Sequence, residues 1–392
     1  MRVAWIVLLT GCGFRSPEAT SGDVTPDAAI PDASSPGTTQ ASCWTLSDTS
    51  ANFQTSACPT ALTGSINVMM NVSLDTDRGT SNPPGLTCAL LSGGGSVCAL
   101  AANSITINKG TTLAAHGARP LVLLGHSITI NGTIDVASHI SGPLGGQRGP
   151  ASGALGCSPG AAATNSGGGG GGGFGGAGGQ GGDEGGSPIT TGGAVGNAIG
   201  LMALRGGCDG GRGGDGSATG GLPGVGGAGG GAVWIASDMG SLVIGPGARI
   251  NASGAGGARG IGSSGPDGGG AGGGSGGLIV LQAPSIMLDP SAQIFANGGG
   301  GGGGAEAGKS GHDGSDPTGP SSGGAGGGGG SVAGLGGFGY SALALSLTGA
   351  DGDPAVHGGG GGGGGGAGSI RVASSTTISG ANVSPLPAQL MP

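Results

Sequence analysis

The sequence predicts an all-β fold of stacked, solenoid-like strand repeats that carry long glycine-rich insertions. Short apolar segments recur along the chain in similar form, and glycine, 107 of the 392 residues, is concentrated in blocks between them. Aromatic residues make up only 2% of the chain and charged residues 8%, so the large side chains of an ordinary globular core are scarce. A thin core of stacked aliphatic side chains meets that restriction.

The clearest repeat lies before the first large glycine block. Segment 104–108 reads Ser-Ile-Thr-Ile-Asn and recurs at 127–131, a displacement of 23 residues. The same displacement would place Leu113 beside Val136. A period of this length falls within the range of one solenoid coil.

Further apolar segments extend the pattern. Alternate apolar residues from Ile66 to Leu74 predict one half-buried strand upstream of the clearest repeat. Because a solenoid unit buries its apolar face only by stacking on a neighbour, several units are expected. Downstream, one unit consists of segments 233–236, 241–244 and 248–252. A second unit repeats it at 279–282, 285–288 and 292–296, and a truncated third unit begins at 370–373 and 377–379.

The glycine blocks admit two interpretations. Residues 172–183 place Phe174, Ala177, Gln180 and Asp183 at every third position, separated by pairs of glycines. A threefold extended helix would line these side chains along one edge and leave bare-glycine faces on which neighbouring backbones can pack. The blocks could instead be mobile loops, because ordering glycine costs more conformational entropy than ordering other residues. The sequence leaves both open.

These patterns divide the chain into seven parts. They are a leader (1–11), a tether (12–41), a cysteine-containing β region with the first coils (42–140), a glycine-rich insertion (141–231), coils with a glycine-rich insertion (232–297), another glycine-rich insertion (298–368), and a final strand unit with a tail (369–392).

The first residues have the features of an export signal. Arg2 precedes an apolar run that ends at Leu9, and Leu9-Thr10-Gly11-Cys12 resembles the lipobox of bacterial lipoproteins. The resemblance implies that Cys12 is acylated and becomes the first residue of the exported chain. Residues 13–41, rich in Ser, Thr, Pro, Asp and Ala, predict a flexible tether. The alternative is an accidental cysteine after a short apolar stretch.

The remaining cysteines fit an oxidising compartment. They are Cys43, Cys58, Cys88, Cys98, Cys157 and Cys208. Their even number predicts disulfides. Sequential pairing is favoured because Cys88 and Cys98 bracket one glycine-rich turn, while Cys157 and Cys208 bracket the largest glycine block. Metal binding by these cysteines is disfavoured because no two of them are two to four residues apart.

Glycine-based motifs occur in this chain by chance. Residues 303–310 fit the phosphate-binding loop, 210–215 resemble the start of a calcium-binding nonapeptide, and 273–277 imitate a nucleophile elbow. Each lacks its context, since no helix is expected after 303–310, the nonapeptide has no tandem copy, and no strand and helix flank the elbow. We expect no cofactor, metal or catalytic residue at these positions.

Three histidines raise a further possibility of metal binding. The 23-residue displacement would stack His116 on His139, where the two imidazoles, with His126, could share a transition metal. We favour the alternative, in which His116 and His139 are exposed polar residues at equivalent corners.

Charge argues against two classes of function. The formal net charge is −8 and the 12 Lys and Arg form no basic cluster, so we expect no nucleic-acid partner. Acid–base catalysis needs clustered ionisable groups, but those of the predicted coils share no motif. They are Lys109, Asp135, Asp238, Arg249, Asp289 and Arg371.

The layout as a whole resembles glycine-rich surface lipoproteins of predatory and soil-dwelling bacteria. Shared features are the lipobox, a Pro-Asp-Ala tether, and segments such as 119–123 and 276–281 beside glycine blocks. The resemblance implies an exported chain, anchored through Cys12 to the outer membrane or cell surface. We expect a structural or adhesive protein without catalysis, in contact with the membrane through its anchor and with extracellular polysaccharide or cell-wall material. The alternative is a carbohydrate-binding or carbohydrate-active β-helix.

Overall fold

The fold is all-β, as the sequence predicts. The computed structural model describes residues 43–48, 53–59, 62–92, 96–140, 147–153, 156–186, 191–201, 203–216, 221–262, 267–342, 347–355, 357–375, 378, 380 and 382–390. Within these residues every regular element is a strand and no helix is present. The leader, Cys12 and the predicted tether lie outside the described residues.

Nineteen strands lie within the described residues. They are β1 (Trp44–Asp48), β2 (Phe53–Ala57), β3 (Ser65–Val68), β4 (Val72–Asp75), β5 (Thr80–Asn82), β6 (Ala89–Ser92), β7 (Ser96–Ile107), β8 (Thr112–His116), β9 (Leu121–Ile130), β10 (Thr133–Asp135), β11 (Ala232–Ser237), β12 (Ser241–Ile244), β13 (Arg249–Asn251), β14 (Leu278–Gln282), β15 (Ser285–Leu288), β16 (Gln293–Phe295), β17 (Ser369–Ala373), β18 (Val383–Ser384) and β19 (Ala388–Gln389).

Two large, mainly parallel sheets contain most of these strands. One has the order β18-β16-β13-β10-β8-β4-β5. The other has the order β15-β12-β9-β11-β14-β17-β19, and β7 joins it through β9 and adds β3 and β6. Among the strands that the structure describes, the antiparallel pairs are β5 with β4, β6 with β7, and β1 with β2 in a separate hairpin.

Segments that match in sequence lie beside one another in register. Ile105 of β7 is opposite Ile128 of β9, and Ile250 of β13 is opposite Ile294 of β16. Like side chains therefore stack in rows across neighbouring strands. The rows from both sheets meet in one buried apolar cluster, which is the core.

Two expectations about the strands are wrong, one about register and one about where a strand ends. Leu113 is opposite Ile134 and not Val136, because the connection between β9 and β10 (131–132) is two residues shorter than that between β7 and β8 (108–111). The predicted strand from Ile66 to Leu74 is two strands, β3 and β4, in different sheets. Met70 lies in the turn between them and is 58% exposed.

Strand β11 is buried on both faces. Val233 and Ile235 point into the core, whereas Trp234 packs in a second apolar cluster with Trp44 and Leu46 of the β1–β2 hairpin. Since neither face meets water, the strand is apolar from Ala232 to Ala236 and does not alternate.

The glycine-rich segments form a bundle of extended tracts, which we call the glycine bundle. Its tracts lie side by side and are joined by backbone hydrogen bonds outside the sheets. The tracts are 158–164, 166–173, 177–185, 191–197, 207–215, 222–231, 252–261, 267–277, 296–305, 310–316, 323–330, 333–341, 347–353 and 358–368.

Hydrogen bonds between tracts repeat every third residue. In tract 358–368, every third amide from Gly360 to Gly366 donates to tract 166–173 at 2.8–2.9 Å. The amides before these, Gly359, Gly362 and Gly365, donate to tract 296–305. A period of three is that of the extended threefold helix, which forms no internal hydrogen bonds and so directs its amides to neighbours.

Four central tracts, 166–173, 267–277, 296–305 and 358–368, are each enclosed by six hydrogen-bonded neighbours. Around 267–277 these are the other three central tracts and 207–215, 222–231 and 252–261. The glycines of the central tracts are buried. Their backbone groups are therefore paired away from water, as buried amides and carbonyls must be.

The bundle is continuous with the sheets. Tract 222–231 leads into β11, 267–277 into β14 and 358–368 into β17, while β13 leads into 252–261 and β16 into 296–305. We call the end next to the strands the base and the opposite end the tip. Stacked strands thus set the spacing of the tracts that extend them.

The triplet pattern is interrupted at Phe174. Ala177 and Gln180 are exposed along tract 177–185, at the predicted interval of three. Phe174, however, is 2% exposed, because the chain reverses at 174–176 between tracts 166–173 and 177–185. The prediction of one edge from Phe174 to Asp183 is wrong at its first member.

Replacement of a central glycine tests how closely the tracts pack. A Cβ at Gly171 would lie 1.9 Å from the carbonyl oxygen of Gly364, a distance at which one backbone must move. We expect Gly171→Ala to lower the free energy of unfolding by at least about 3 kcal/mol in denaturant titrations. Gly200→Ala is the matched control, since nothing lies within 4 Å of its Cβ position, and we expect a change of less than about 1 kcal/mol. If the two substitutions lowered the free energy of unfolding equally, the close packing of the central tracts would be contradicted.

Candidate functional site

Disulfides join the six cysteines in sequential order. The bonds are Cys43–Cys58, Cys88–Cys98 and Cys157–Cys208. The first closes the β1–β2 hairpin, and the second joins β7 to the residue before β6. The third lies at the base of the bundle, where it joins tract 207–215 to the residue before tract 158–164.

A buried arginine accompanies the disulfide at the base. The Arg205 guanidinium lies 5.6 Å from the ring centre of Phe174, and its Nη2 lies 3.3 Å from the Cys157 sulfur. Burial lowers the pKa of Arg205. In the sequence Arg205 stands out only as part of an Arg-Gly-Gly triplet, and such a triplet in a glycine block gives no indication of burial.

A second polar cluster joins the sheets to the bundle. The His139 Nε2 lies 3.3 Å from Asp135 of β10, and its Nδ1 lies 3.4 Å from Asp316 of tract 310–316. Hydrogen bonds with Asp135, and then with Asp316, raise the pKa of His139 to about 10. The ring is therefore a cation at neutral pH and bridges two carboxylates on opposite sides.

The three histidines have separate partners. His116 bonds Ser73 at 3.3 Å, His126 bonds Asp238 at 2.8 Å, and His139 bonds its two aspartates. The shift of register between β8 and β10 removes the expected alignment of His116 with His139. Across the described part of the chain, no three His, Cys, Asp or Glu side chains are grouped as metal ligands.

Polar side chains are buried at the tip of the bundle. Ser166 is 1% exposed, and Asp267 and Glu306 are each 4% exposed. Glu306 accepts hydrogen bonds from Lys309 Nζ at 2.7 Å and from Ser331 Oγ at 2.9 Å. The Lys309 bond, together with the bonds of Ser331 and Val332, lowers the pKa of Glu306 to about 2.

The pKa of Asp267 is shifted in the opposite direction from that of Glu306. The Asp267 Oδ1 is buried without a hydrogen-bond partner, as is the Ser166 hydroxyl. Burial, and then the charge of Glu306, raise the pKa of Asp267 to about 6. Sequence reasoning missed this group, although polar residues at the ends of glycine tracts could have drawn attention to it.

A cleft opens where the bundle meets the sheets. Its volume is about 340 Å³, and its lining includes Phe174, Tyr340, Arg371 and Leu386. Arg371 is directed by Ser369, which accepts from its Nε at 3.1 Å, and by Asp48 at 3.8 Å. Aromatic, cationic and apolar surfaces thus converge in one concave place.

The glycine-based motifs have structural partners. Glu306 and Lys309 close a tight turn within 303–310 through reciprocal backbone bonds, and no helix follows in the described residues. Ser275 of 273–277 is buried and accepts from the Cys208 amide at 2.8 Å. Segment 210–215 lies in tract 207–215.

The other charged residues of the predicted coils also lie apart. Arg249 faces the Phe295 ring at 5.1 Å and donates to the Thr318 carbonyl. Asp289 accepts from Ser291, and this hydrogen bond lowers the pKa of Asp289. These contacts fix turns and strand edges.

Comparison with known proteins gives no match: no family model, curated protein or solved structure is significantly similar to this chain. In a separate test, none of the described residues belongs to a helix long and apolar enough to cross a membrane.

The His139 bridge predicts a pH dependence of stability. The pKa of His139 is near 6.5 in the unfolded chain and about 10 in the folded protein, so the folded state holds an extra proton between these values. This stabilisation is fully present below about pH 6.5 and is lost as pH rises towards 10. In denaturant titrations at pH 6 and pH 10, we expect His139→Asn to reduce the loss of stability seen in the wild type. The control, His116→Asn, should keep the wild-type loss; an unchanged loss in His139→Asn would contradict the bridge.

Removal of the base disulfide should destabilise the bundle. Cys157 and Cys208 are 51 residues apart, and the loop-entropy relation gives a stabilisation of about 4 kcal/mol for a loop of that length. We expect the Cys157→Ser, Cys208→Ser double variant to lose about this amount in denaturant titrations. The Cys43→Ser, Cys58→Ser variant, with a separation of 15, should lose about 3 kcal/mol. An unchanged free energy of unfolding in the Cys157→Ser, Cys208→Ser variant would show that the Cys157–Cys208 bond does not stabilise the fold.

Proposed function

We propose that this chain is a lipid-anchored, non-catalytic protein of the bacterial cell surface, in which a β-solenoid carries the glycine bundle as a rigid structural or adhesive element. The observation that carries the proposal is the continuity of the bundle with the parallel sheets. Five tracts extend strands of the sheets directly, so bundle and sheets share one hydrogen-bonded framework. Such a framework can hold the outer surface of the glycine bundle in a fixed orientation relative to the sheets.

The stacking of matched segments supports the solenoid. Leu242 of β12 is opposite Ile286 of β15, and Val233 of β11 is opposite Ile279 of β14, so successive strand units align over their length. In a solenoid each unit needs such a neighbour to bury its apolar face.

The outer tracts present side chains at a regular interval. Leu335 and Phe338 are exposed three residues apart on tract 333–341, and Leu222 and Val225 are exposed likewise on tract 222–231. Three residues of a threefold extended helix span about 9 Å. Repeated side chains at this spacing on a rigid backbone suit adhesion to a surface with its own repeat, such as extracellular polysaccharide or cell-wall material.

The anchor rests on the lipobox-like tetrad that ends at Cys12. Acyl chains contribute about 0.8 kcal/mol for each buried methylene, and more than one chain is needed for lasting attachment. A flexible tether of the predicted length would span about 30 Å on average. It would hold the bundle clear of the membrane.

The cleft at the base favours one alternative, a carbohydrate-binding or carbohydrate-active β-helix. Tyr340 and Arg371 both line the cleft, and ligand pockets combine aromatic side chains with a few hydrogen-bonding or charged groups in this way.

Replacement of the proposed acylation site tests the anchor. We expect Cys12→Ser to move the protein from the membrane fraction to the soluble fraction of expressing cells, because serine cannot take the place of the acylated cysteine. Ser16→Ala, in the same segment, should remain with the membrane. Unchanged fractionation of Cys12→Ser would refute lipid anchoring.

A polysaccharide panel separates the two functions. We expect the soluble Cys12→Ser form to bind at least one cell-wall or extracellular polysaccharide without releasing product, and Phe338→Ala in that form to weaken binding. Loss of binding in Tyr340→Ala instead would assign recognition to the cleft. Release of product would establish the carbohydrate-active alternative, and no binding at all would argue against adhesion to polysaccharide.

A further inference from the structure

One guanidinium lies against both sulfurs of the disulfide at the base of the bundle. The Arg205 Nη2 donates to the Cys157 sulfur at 3.3 Å and to the Cys208 sulfur at 3.4 Å. The Phe174 ring, whose centre is 5.6 Å from the guanidinium carbon, packs against the same group. Since arginine remains charged even where it is buried, a positive charge is fixed beside the sulfur–sulfur bond.

The two sulfurs differ in exposure and in their other contacts. Cys157 is half-buried, whereas Cys208 is fully buried and its sulfur accepts another hydrogen bond, from the Ser158 amide at 3.3 Å. The Cys157 sulfur lies 3.6 Å from the Gly207 carbonyl oxygen, which can only accept. Of the two sulfurs, an external reagent therefore reaches Cys157 more easily, while the donors around Cys208 suit a negative charge on its sulfur.

This asymmetry matters because of the way in which disulfides exchange. A thiolate attacks one sulfur, and the other sulfur leaves as a thiolate, more quickly the lower its pKa. Burial alone raises the pKa of a thiol, but a neighbouring cation and hydrogen bonds to the sulfur lower it. The carboxylate next to Cys208 in the sequence, Asp209, is paired with Arg148 at 2.7 Å, so its charge is offset. Arg205 and the Ser158 amide therefore favour the departure of Cys208 as a thiolate.

We propose that Cys157–Cys208 is a site of thiol–disulfide exchange, at which Arg205 activates the bond towards external low-molecular-weight thiols. In the first step, an external thiolate bonds to the Cys157 sulfur, and the electron pair of the broken bond stays on Cys208. In the second step, another external thiolate attacks the external sulfur of this mixed disulfide and releases Cys157 as a thiolate. Two external thiols are thereby oxidised to a disulfide and give up their protons to solvent or to the two reduced cysteines. The covalent link at the base of the bundle opens.

The pKa of the Cys208 thiol provides the first test. In the soluble Cys12→Ser form, Cys157→Ser leaves Cys208 as the one free thiol, and the ultraviolet absorbance of its thiolate can be followed against pH. We expect a pKa clearly below the ordinary value of about 8.5, and a rise to that value or above it when Arg205→Met removes the charge. A pKa of about 8.5 or above with Arg205 in place would overturn the proposal, because burial would then outweigh the cation.

Reaction of the intact disulfide with glutathione is the second measurement, and it does not depend on the folding of Cys157→Ser. Excess glutathione is added to the Cys12→Ser form at neutral pH, and the products are alkylated and identified by mass spectrometry. We expect the adduct on Cys157, with Cys208 recovered as the alkylated thiol. An adduct on Cys208 would overturn the proposed direction of exchange.

The rate of the same reaction tests the role of Arg205. Arg205→Met should slow the reaction about tenfold, because a thiol of higher pKa leaves more slowly. Arg212→Met, in the other Arg-Gly-Gly triplet, is the matched control; Arg212 is exposed, and the rate should not change. The Cys43–Cys58 bond is the internal reference and should react at one rate in all these proteins. Equal rates at Cys157–Cys208 with and without Arg205 would contradict activation; if Arg205→Met does not fold, the pKa of Cys208 decides.

Discussion

The backbone hydrogen bond between neighbouring glycine tracts is the interaction on which the bundle depends. Each amide of a central tract donates to a different neighbour in turn, and its carbonyls accept in the same way. Such a bond contributes about 1 kcal/mol net, which is similar to the cost of ordering one residue. A single tract would therefore remain disordered. Order becomes favourable only when many tracts pair together and bury their polar groups.

Glycine is required because the tracts are closer than side chains allow. A Cβ at Gly272 would lie 1.9 Å from the Gly170 carbonyl oxygen. In the sheets, by contrast, side chains occupy both faces of each strand, and only two neighbours can form hydrogen bonds with it. Where β14 is preceded by tract 267–277, the same stretch of chain changes from two bonded neighbours to six. The loss of side chains permits this change.

The sheets and the disulfides reduce the entropy that the bundle must overcome. Five tracts are held at the spacing of the strands that they extend. Their first hydrogen bonds therefore form with a smaller loss of conformational entropy. The Cys157–Cys208 bond fixes the base of two further tracts. His139 adds a link between β10 and tract 310–316. The side chains that stabilise the bundle therefore concentrate at its base and tip, where the glycine repeat ends.

Sequence patterns predict the strands better than the tracts. Segments of similar sequence, such as those around Ile250 and Ile294, identify neighbouring strands. The reason is that their apolar side chains must stack in register to form the core. The register of Leu113 could not be predicted, since it depends on turn length. Glycine tracts carry no side-chain pattern that identifies their neighbours, so the pairing of Gly169 with Gly270 cannot be predicted from the sequence. The exposure of Ala177 and Gln180 three residues apart is predictable, because spacing alone determines it.

Amide hydrogen exchange of the glycine tracts tests the central claim most directly. If the hydrogen-bonded bundle exists, amides of tract 267–277, which is enclosed on all sides, exchange as slowly as those of β14 that follows it. Amides of the outer tract 191–197, with fewer bonded neighbours, exchange faster. Exchange in tract 267–277 at the rate of an unstructured chain, while β14 remains protected, would contradict the account.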